Sequence, residues 1–544
     1  MTLINHTSQM DDELCTWPPE PQMFTRANAL DQWPLPITPL TQDLVELPQE
    51  RGLEEAFVSV LGVSSPSQDW TWNGCFFGYV MFGVTPAAAL ADNLPGWSRA
   101  GVYADYLGVH PDPDAPPERQ KLDPVGLLRI GGKFLSALRT YPRRAAAEIT
   151  TARSQLDADR ARNWSDVTDG YLLDRIAAFH DIHMWQRVPH AVASVIGAAL
   201  FKQLNESLVG LAGDDEGPRL ATEMITPLGG VHMRDAIDAM ADVASGRLAR
   251  DVFVRDYGFR GNNEFELAAR PWEDDPATLD RLVEASGRST THSGADAKEA
   301  ARSRVRALAG WRWPVLRAHL AFTEKHLRWR ENGKVPMAMG VASIRRVVME
   351  AARRLVDRGR IGQLDDVFYL RKDELAQALS GGGPNDLDVR ITRRRATRNL
   401  AIEFPLPEIV DATPDGICEV SESRWKSLGL IPPETADDET SVLVGVGGSR
   451  GSVTGRARIV TDPTDVEIDE GDILVARGTD SAWTPLFLQA DAVVVDIGGV
   501  MSHACIAARE VGIPCVIDVK TGTTRITEGQ SISVDGDAGT VTLR

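Results

Sequence analysis

At 544 residues the chain is too long for one compact domain, and 43% hydrophobic with 25% charged residues is a globular balance that excludes disorder and collagen-like structure. Its 58 basic and 77 acidic residues leave a net charge of −19, without the basic footprint that nucleic acid or an anionic membrane requires, although a local arginine cluster would still suit a small anion. The longest apolar run, Ala191 to Phe201, has 11 residues where a membrane span needs about 20.

The N-terminus, with Asp11, Asp12 and Glu13, has no signal-peptide core. Five scattered cysteines (Cys15, Cys75, Cys418, Cys505 and Cys515) form no CxxC pair and suit free thiols in a reducing cytoplasm. Residues 1–403 read as mainly helical. His180, His183 and His190 lie near Asp181, but gaps of three and seven residues are not a zinc-ligand pattern, so they are read as general-base candidates and not as a metal site. Pro189 is expected to open an apolar helix. Residues 298–330 read as helix with a break at Pro314. The clearest helix has Ile344, Val347, Val348, Ala351, Ala352, Leu355 and Val356 on one face, arginines between them, and Gly359 to end it.

Residues 404–440 change character. Phe404-Pro-Leu-Pro407 and the stretch from Ile431 to Glu439 are proline-rich and acidic, and a linker or hinge is expected there. From 441 onward short strands separated by glycines are expected at 442–446, 452–460, 472–476, 492–497 and 514–519, with a closing hairpin of 531–534 and 540–543.

The chemistry concentrates at one histidine. Residues 492–514 read as strand, glycine turn, helix, glycine stop and strand. Gly498 and Gly499 let the chain turn sharply and leave backbone open to a ligand. Ser502 is placed as N-cap, so His503 stands in the first helical turn, where unpaired amides and the positive end of the helix dipole suit an anion such as a phosphoryl group on imidazole. Ala504, Ala507 and Ala508 let the helix lie close to the sheet, and Gly512 ends it. This stretch resembles the phosphohistidine swivelling domain of the phosphoenolpyruvate-utilising enzymes, in which Gly-Gly precedes a Ser/Thr/Cys-His pair and Ala-Arg-Glu-x-Gly-Ile-Pro comes after it. Asp480-Ser481-Ala482-Trp483-Thr484-Pro485 resembles the family's Thr-Asp-Pro-x-Trp-x-Pro loop. The resemblance covers 445–544 and implies a small β/β/α swivelling domain at 441–544, with His503 as phospho-acceptor and Ser502, Gly498 and Gly499 around the phosphate. It also gives Thr484 a hydroxyl contact to the phosphohistidine, beside that residue's plain role as N-cap to Pro485. Arg509, six residues past His503, is expected on another face as a structural ion pair.

The larger part is similar, in shorter matches, to the central domain of rifampin phosphotransferase-like proteins: Thr25-Arg26-Ala27-Asn28-Ala29, then Tyr257 to Leu267 with Arg270-Pro271-Trp272, then Arg328 to Asn332 and Asp365 to Leu370. Phe259 stands where those proteins often have histidine. Arg260, Glu264 and Glu266 are expected as polar residues of an acceptor site, an arginine meeting the phosphoryl group and a carboxylate taking the acceptor's proton. Arg328, Arg330 and Glu331 join them as candidates, and eleven of the 13 tryptophans lie in this part, enough for an aromatic pocket.

No Walker A loop is present, since Ile130-Gly131-Gly132-Lys133 lacks its spacing, and nothing resembles an ATP-grasp domain or a pyruvate-binding barrel. The resemblance therefore implies a large helical acceptor domain (1–403), a hinge (404–440) and a phosphate carrier without its donor site. The expected function is phosphotransfer in the manner of the split phenylphosphate-synthase type. A separate ATP-grasp subunit holding ATP and Mg2+ charges His503, which serves a small aromatic hydroxyl acceptor; this chain alone binds no cofactor. A rifamycin-type antibiotic phosphotransferase and a non-catalytic phosphocarrier are the alternatives. A carrier that visits two sites is expected to move as a rigid body, over a modest, polar interface.

Overall fold

The computed structural model describes residues 10, 12–26, 29–30, 32–63, 70–91, 97–107, 109, 124–214, 216–226, 228–288, 295–431, 440–461, 468–479, 483–498 and 502–544. They group into two units: residues 1–192, 263–270 and 334–434 form the first, and 193–262, 271–333 and 435–544 the second. No described helix is long and apolar enough to cross a membrane.

The first unit is built on the helices Pro124–Arg160, Val335–Asp357 and Leu387–Glu403 and on the start of Asp169–Ala212. The expected periodicity at 344–356 is used as read: Val347, Val348, Ala351, Ala352 and Leu355 have no exposed surface and join the main core with Leu40, Leu44 and Phe368. Pro189 is a correction. It lies inside the helix Asp169–Ala212 and does not open one. An interior proline costs about 3 kcal/mol of helix, which long helical turns on both sides offset.

The expected hinge is the larger correction. Ile409–Thr413 pairs antiparallel with Gln22–Thr25, Phe24 opposite Val410, inside a five-stranded sheet that also holds Asn73–Phe76, Tyr79–Gly83 and Gly416–Glu419. Val410 and Ala412 alternate into the core, and Trp425 and Leu430 are buried beyond them. Prolines at 405 and 407 flank a strand and do not mark a free chain. Of the expected hinge, only the stretch from Ile431 onward lies beyond this packing, and 432–439 fall outside the described residues.

The helix Leu47–Glu54 carries an unusual pair of acids. Glu46, just before it, is wholly buried, and neither carboxylate oxygen has a hydrogen-bond partner among the described residues. Burial, with Glu50 and Asp43 nearby, pushes Glu46 well above the carboxylate range. Glu50 accepts a hydrogen bond from the Trp72 N–H at 3.0 Å, yet burial pushes it up to about 7. Groups raised in the folded state stabilise fully below their unfolded value and lose that contribution as pH rises through the folded value. Urea unfolding should therefore show stability falling as pH rises from about 5 to 8, by roughly 3 kcal/mol for a group shifted as far as Glu50. Glu46→Gln and Glu50→Gln should each flatten that slope. A stability that is level across this range in the natural protein would contradict the reading.

In the second unit the helices Glu216–Ile225, Ala295–Ala309 and Trp313–Asn332 pack around Leu204, Leu208, Leu220, Met224, Val305 and Leu320. The break at Pro314 is present: one 3-10 turn, Gly310–Arg312, separates two helices, and Pro314 sits in the first turn of the second. Residues 440–544 form an eight-stranded sheet. Its four central strands, Ser452–Val460, Asp472–Ala476, Ala492–Val495 and Cys515–Ile517, run parallel, and antiparallel strands flank them. The two end strands, Val442–Val444 and Val446–Ser449, are consecutive in the chain, so the sheet curls until its ends meet at Gly445. Gly536 makes the closure possible, because a Cβ there would lie 1.8 Å from the Ser449 carbonyl oxygen. Gly536→Ala is accordingly expected to cost at least about 3 kcal/mol, read by thermal melting, because backbone and not a flexible side chain would have to move. A melting temperature within about 1 °C of the natural protein's would contradict the closure.

Candidate active site

The strand Ala492–Val495 is buried along its length and delivers Asp496 and Gly498 to the C-terminal edge of the parallel strands, where open α/β sheets place their ligands. Asp496 is spent on structure: its carboxylate accepts hydrogen bonds from the Thr523 N–H at 3.1 Å and from the Thr523 hydroxyl, and burial pushes its pKa up. Gly499 lies outside the described residues. The helix His503–Val511 comes next, its first residue the candidate, and Gly512 ends it in the left-handed region at φ 86°. Ser502 holds the N-cap position with extended backbone, but its hydroxyl makes no capping bond, and the buried Oγ has no partner among the described residues. Its expected capping contact is thus corrected: extended backbone alone sets the helix start.

His503 is half-buried. Its Nδ1 lies 3.2 Å from the Thr479 hydroxyl, and its ring meets Phe487 edge-on at 5.8 Å. Thr479 is buried, so the contact fixes the ring's orientation. The sequence points to Thr484 instead, whose backbone opens the short helix Thr484–Phe487 and whose side chain is outside the described residues. The signal for Thr479 lies just before the stretch quoted for the loop motif, as the threonine that opens it. Cys505, on the same helix, is inert: its thiol donates to the Gly448 carbonyl at 3.2 Å, and burial raises its pKa.

The imidazole borders a cavity of about 750 Å3, part of it open to solvent. His503, Ile506 and Ala507 share one face of their helix and form one wall; Arg509 joins it from the flank, which corrects the expectation that it faces elsewhere. Ile225, Leu228, Val231, Met233, Ile237 and Leu327 supply an aliphatic lining. Thr226, Arg234, Arg330 and Glu331 are the polar residues opposite. Arg330 and Glu331 are legible as candidates in the sequence; Arg234 and the aliphatic wall are not. Among the described residues no tryptophan lines this cavity, contrary to the aromatic pocket that the composition suggests.

The remaining candidates do other work. Arg328 donates from Nε to the Gly229 carbonyl, and Asn332 bridges the His232 N–H and the Gly230 carbonyl, both at 2.9 Å. Residues 328 and 332 thus pin a turn while 327, 330 and 331, on the neighbouring face, meet the cavity. Arg260 is buried, 3.3 Å from His232 Nδ1, with its guanidinium 5.5 Å from the Phe259 ring. Glu266 is saturated: it accepts from the Thr38 N–H and hydroxyl, the Thr41 hydroxyl and the Ala268 N–H. Glu264 and Glu266 belong to the first unit, and none of Arg260, Glu264, Glu266 and Arg328 lines the cavity. His183 is a core histidine held by Gln49 and Gln186, its pKa lowered to about 3 by burial. Among the described residues no group of three His, Cys, Asp or Glu could hold a metal ion.

The expected polar interface is corrected in part. Residues 440–544 meet the second unit's helices through the ion pair Arg450–Glu223, at 2.9 Å, but also through this aliphatic cavity.

Residues 468–539 match the family of the PEP-utilising enzyme mobile domain, which includes Thr479 and His503. The chain is 28% identical over 374 residues to a rifampicin phosphotransferase of Bacillus cereus, covering 65% of this chain and 40% of that protein. It is 29% identical over 338 residues to a rifampicin phosphotransferase of Streptomyces sviceus, covering 59% and 37%. It is 30% identical over 314 residues to the prodigiosin synthesizing transferase PigC of Serratia marcescens, covering 54% and 33%. The chain thus spans two fifths or less of the length of these relatives. In residues 468–539 the chain is thus similar to the mobile domain of the PEP-utilising enzymes, and it resembles the rifampicin phosphotransferases over more than half its length.

Proposed function

We propose that this chain is the phosphate-carrying and acceptor-binding part of an ATP-dependent phosphotransferase, with His503 as the carrier. One observation carries the reading: the imidazole at the start of a helix, oriented by Thr479, opens onto a cavity with arginines and a carboxylate on its far side. With Nδ1 on the Thr479 hydroxyl, Nε2 is the nitrogen proposed to carry the phosphoryl group. An ATP-grasp subunit holding ATP and Mg2+ charges His503, which then serves a hydroxyl on a small acceptor. Phenols and cresols are the first acceptors to test. A rifamycin-type acceptor is the second reading, favoured by the names of two relatives and by the aliphatic cavity lining.

The test combines the purified chain with ATP, with and without an ATP-grasp partner. An acid-labile phosphate on His503 that needs the partner is the expected result. Ester formation from ATP by the chain alone would overturn the split arrangement. Calorimetric titration with p-cresol and with rifampicin separates the two acceptor classes.

A further inference from the structure

The cavity allots distinct chemical roles to its polar residues. Phosphoryl transfer from a histidine needs little covalent help; it needs the charge of the moving group held and the acceptor's proton removed. Arg234, on the helix His232–Ala244 and paired through Nε with Asp238 at 3.1 Å, and Arg330, on the helix Trp313–Asn332, line the cavity from two helices and carry planar guanidinium forks. Their relative position is fixed by Asn332, whose side chain ties the end of one helix to the start of the other at 2.9 Å. Glu331 is the only carboxylate among the described lining residues, and it stands 3.7 Å from the Arg330 guanidinium. Apart from Thr226 the rest of that wall is apolar, which excludes water from the acceptor's body and leaves its hydroxyl facing the polar end.

Resting on the phosphotransferase reading above, we infer that Arg234 and Arg330 hold the phosphoryl group in transfer and that Glu331 is the general base for the acceptor hydroxyl. The bond from Nε2 to phosphorus breaks and its electron pair stays on Nε2. The hydroxyl oxygen forms the new bond to phosphorus, and its proton passes to the Glu331 carboxylate and from there to water. The imidazole, keeping its Nδ1 proton on Thr479, leaves neutral. Asn332 is a positioning residue, acting through the two helix ends that it joins.

The experiment separates charging from transfer. The full chain is charged with phosphoramidate, a chemical donor that needs no partner, and phosphate on His503 is confirmed by mass spectrometry. The freed donor is removed, p-cresol or rifampicin is added, and phosphate ester is followed in a single turnover. Glu331→Gln should charge and melt like the natural protein but form ester about 100-fold more slowly, the scale of one general base. Glu331→Asp should recover part of the rate. Arg234→Ala and Arg330→Ala should each slow transfer by about 10-fold or more while charging normally. Ester formation by Glu331→Gln within about threefold of the natural rate would overturn the base assignment and leave the phosphotransferase reading standing. A charged natural protein that forms ester with neither acceptor would overturn the assignment of this cavity. Failure of His503 to hold phosphate at all would overturn the phosphotransferase reading itself.

Discussion

Replacing His503 by alanine should abolish phosphoryl transfer and leave the fold standing. The side chain is half-buried, and what it gives up includes a hydrogen bond to Thr479 and an edge-on contact with Phe487. Each contributes about 1 kcal/mol, so melting should shift by a few degrees at most. The helix itself rests on Ala504, Cys505 and Ala508, all buried against the sheet. Turnover, by contrast, has no second carrier to fall back on, and a loss beyond about 10⁴-fold is expected in an assay with the ATP-grasp partner. Thr479→Val is the informative companion, because it keeps the shape and removes the hydroxyl. Its phosphohistidine should form and transfer more slowly, with the ring no longer held in one orientation. Product formation at the natural rate by His503→Ala would end the phosphohistidine mechanism for this chain.

Fixing the C-terminal domain in one pose should be nearly as damaging. In the proposed mechanism one imidazole meets a donor site and an acceptor site, and in-line transfer tolerates little error at either. Of the expected hinge, residues 431–440 are the part proposed to serve, and 432–439 lie outside the described residues. A flexible chain of that length spans roughly 17 Å on average and about 30 Å when extended, enough for a domain to turn through tens of ångströms. Arg450 and Glu223, 2.9 Å apart across this interface, are partly exposed, so their pair contributes at most about 1 kcal/mol and opens readily. Glu223→Cys with Arg450→Cys, joined by a short bismaleimide in a background lacking Cys418, should lose over about 100-fold in multiple turnover. The same cross-linked protein, charged beforehand with phosphoramidate, should still transfer once. Multiple turnover that survives the cross-link would show that His503 need not travel.

Local chemistry in the sequence is enough to find the candidate histidine and the local elements around it. Strand, glycine turn, first-turn histidine and Gly512 stop are all set by neighbours within a few residues, and the parallel strands at 452–460 and 472–476 occur as expected. The same holds for the 335–357 helix, whose buried stripe is written in its own spacing. What the tertiary structure decided depends on residues far apart. Prolines near 405 read as a free linker, yet Ile409–Thr413 pairs with Gln22–Thr25 almost four hundred positions earlier, and no local signal records a partner strand. Glu266 has the right chemistry for an acceptor site, but Thr38 and Thr41 consume its lone pairs. Arg234, Arg330 and Glu331 converge with His503 only because separate helices pack to enclose one cavity. Convergence of that kind is a property of packing between elements, where burial and distance, and not sequence spacing, determine which polar groups share a site.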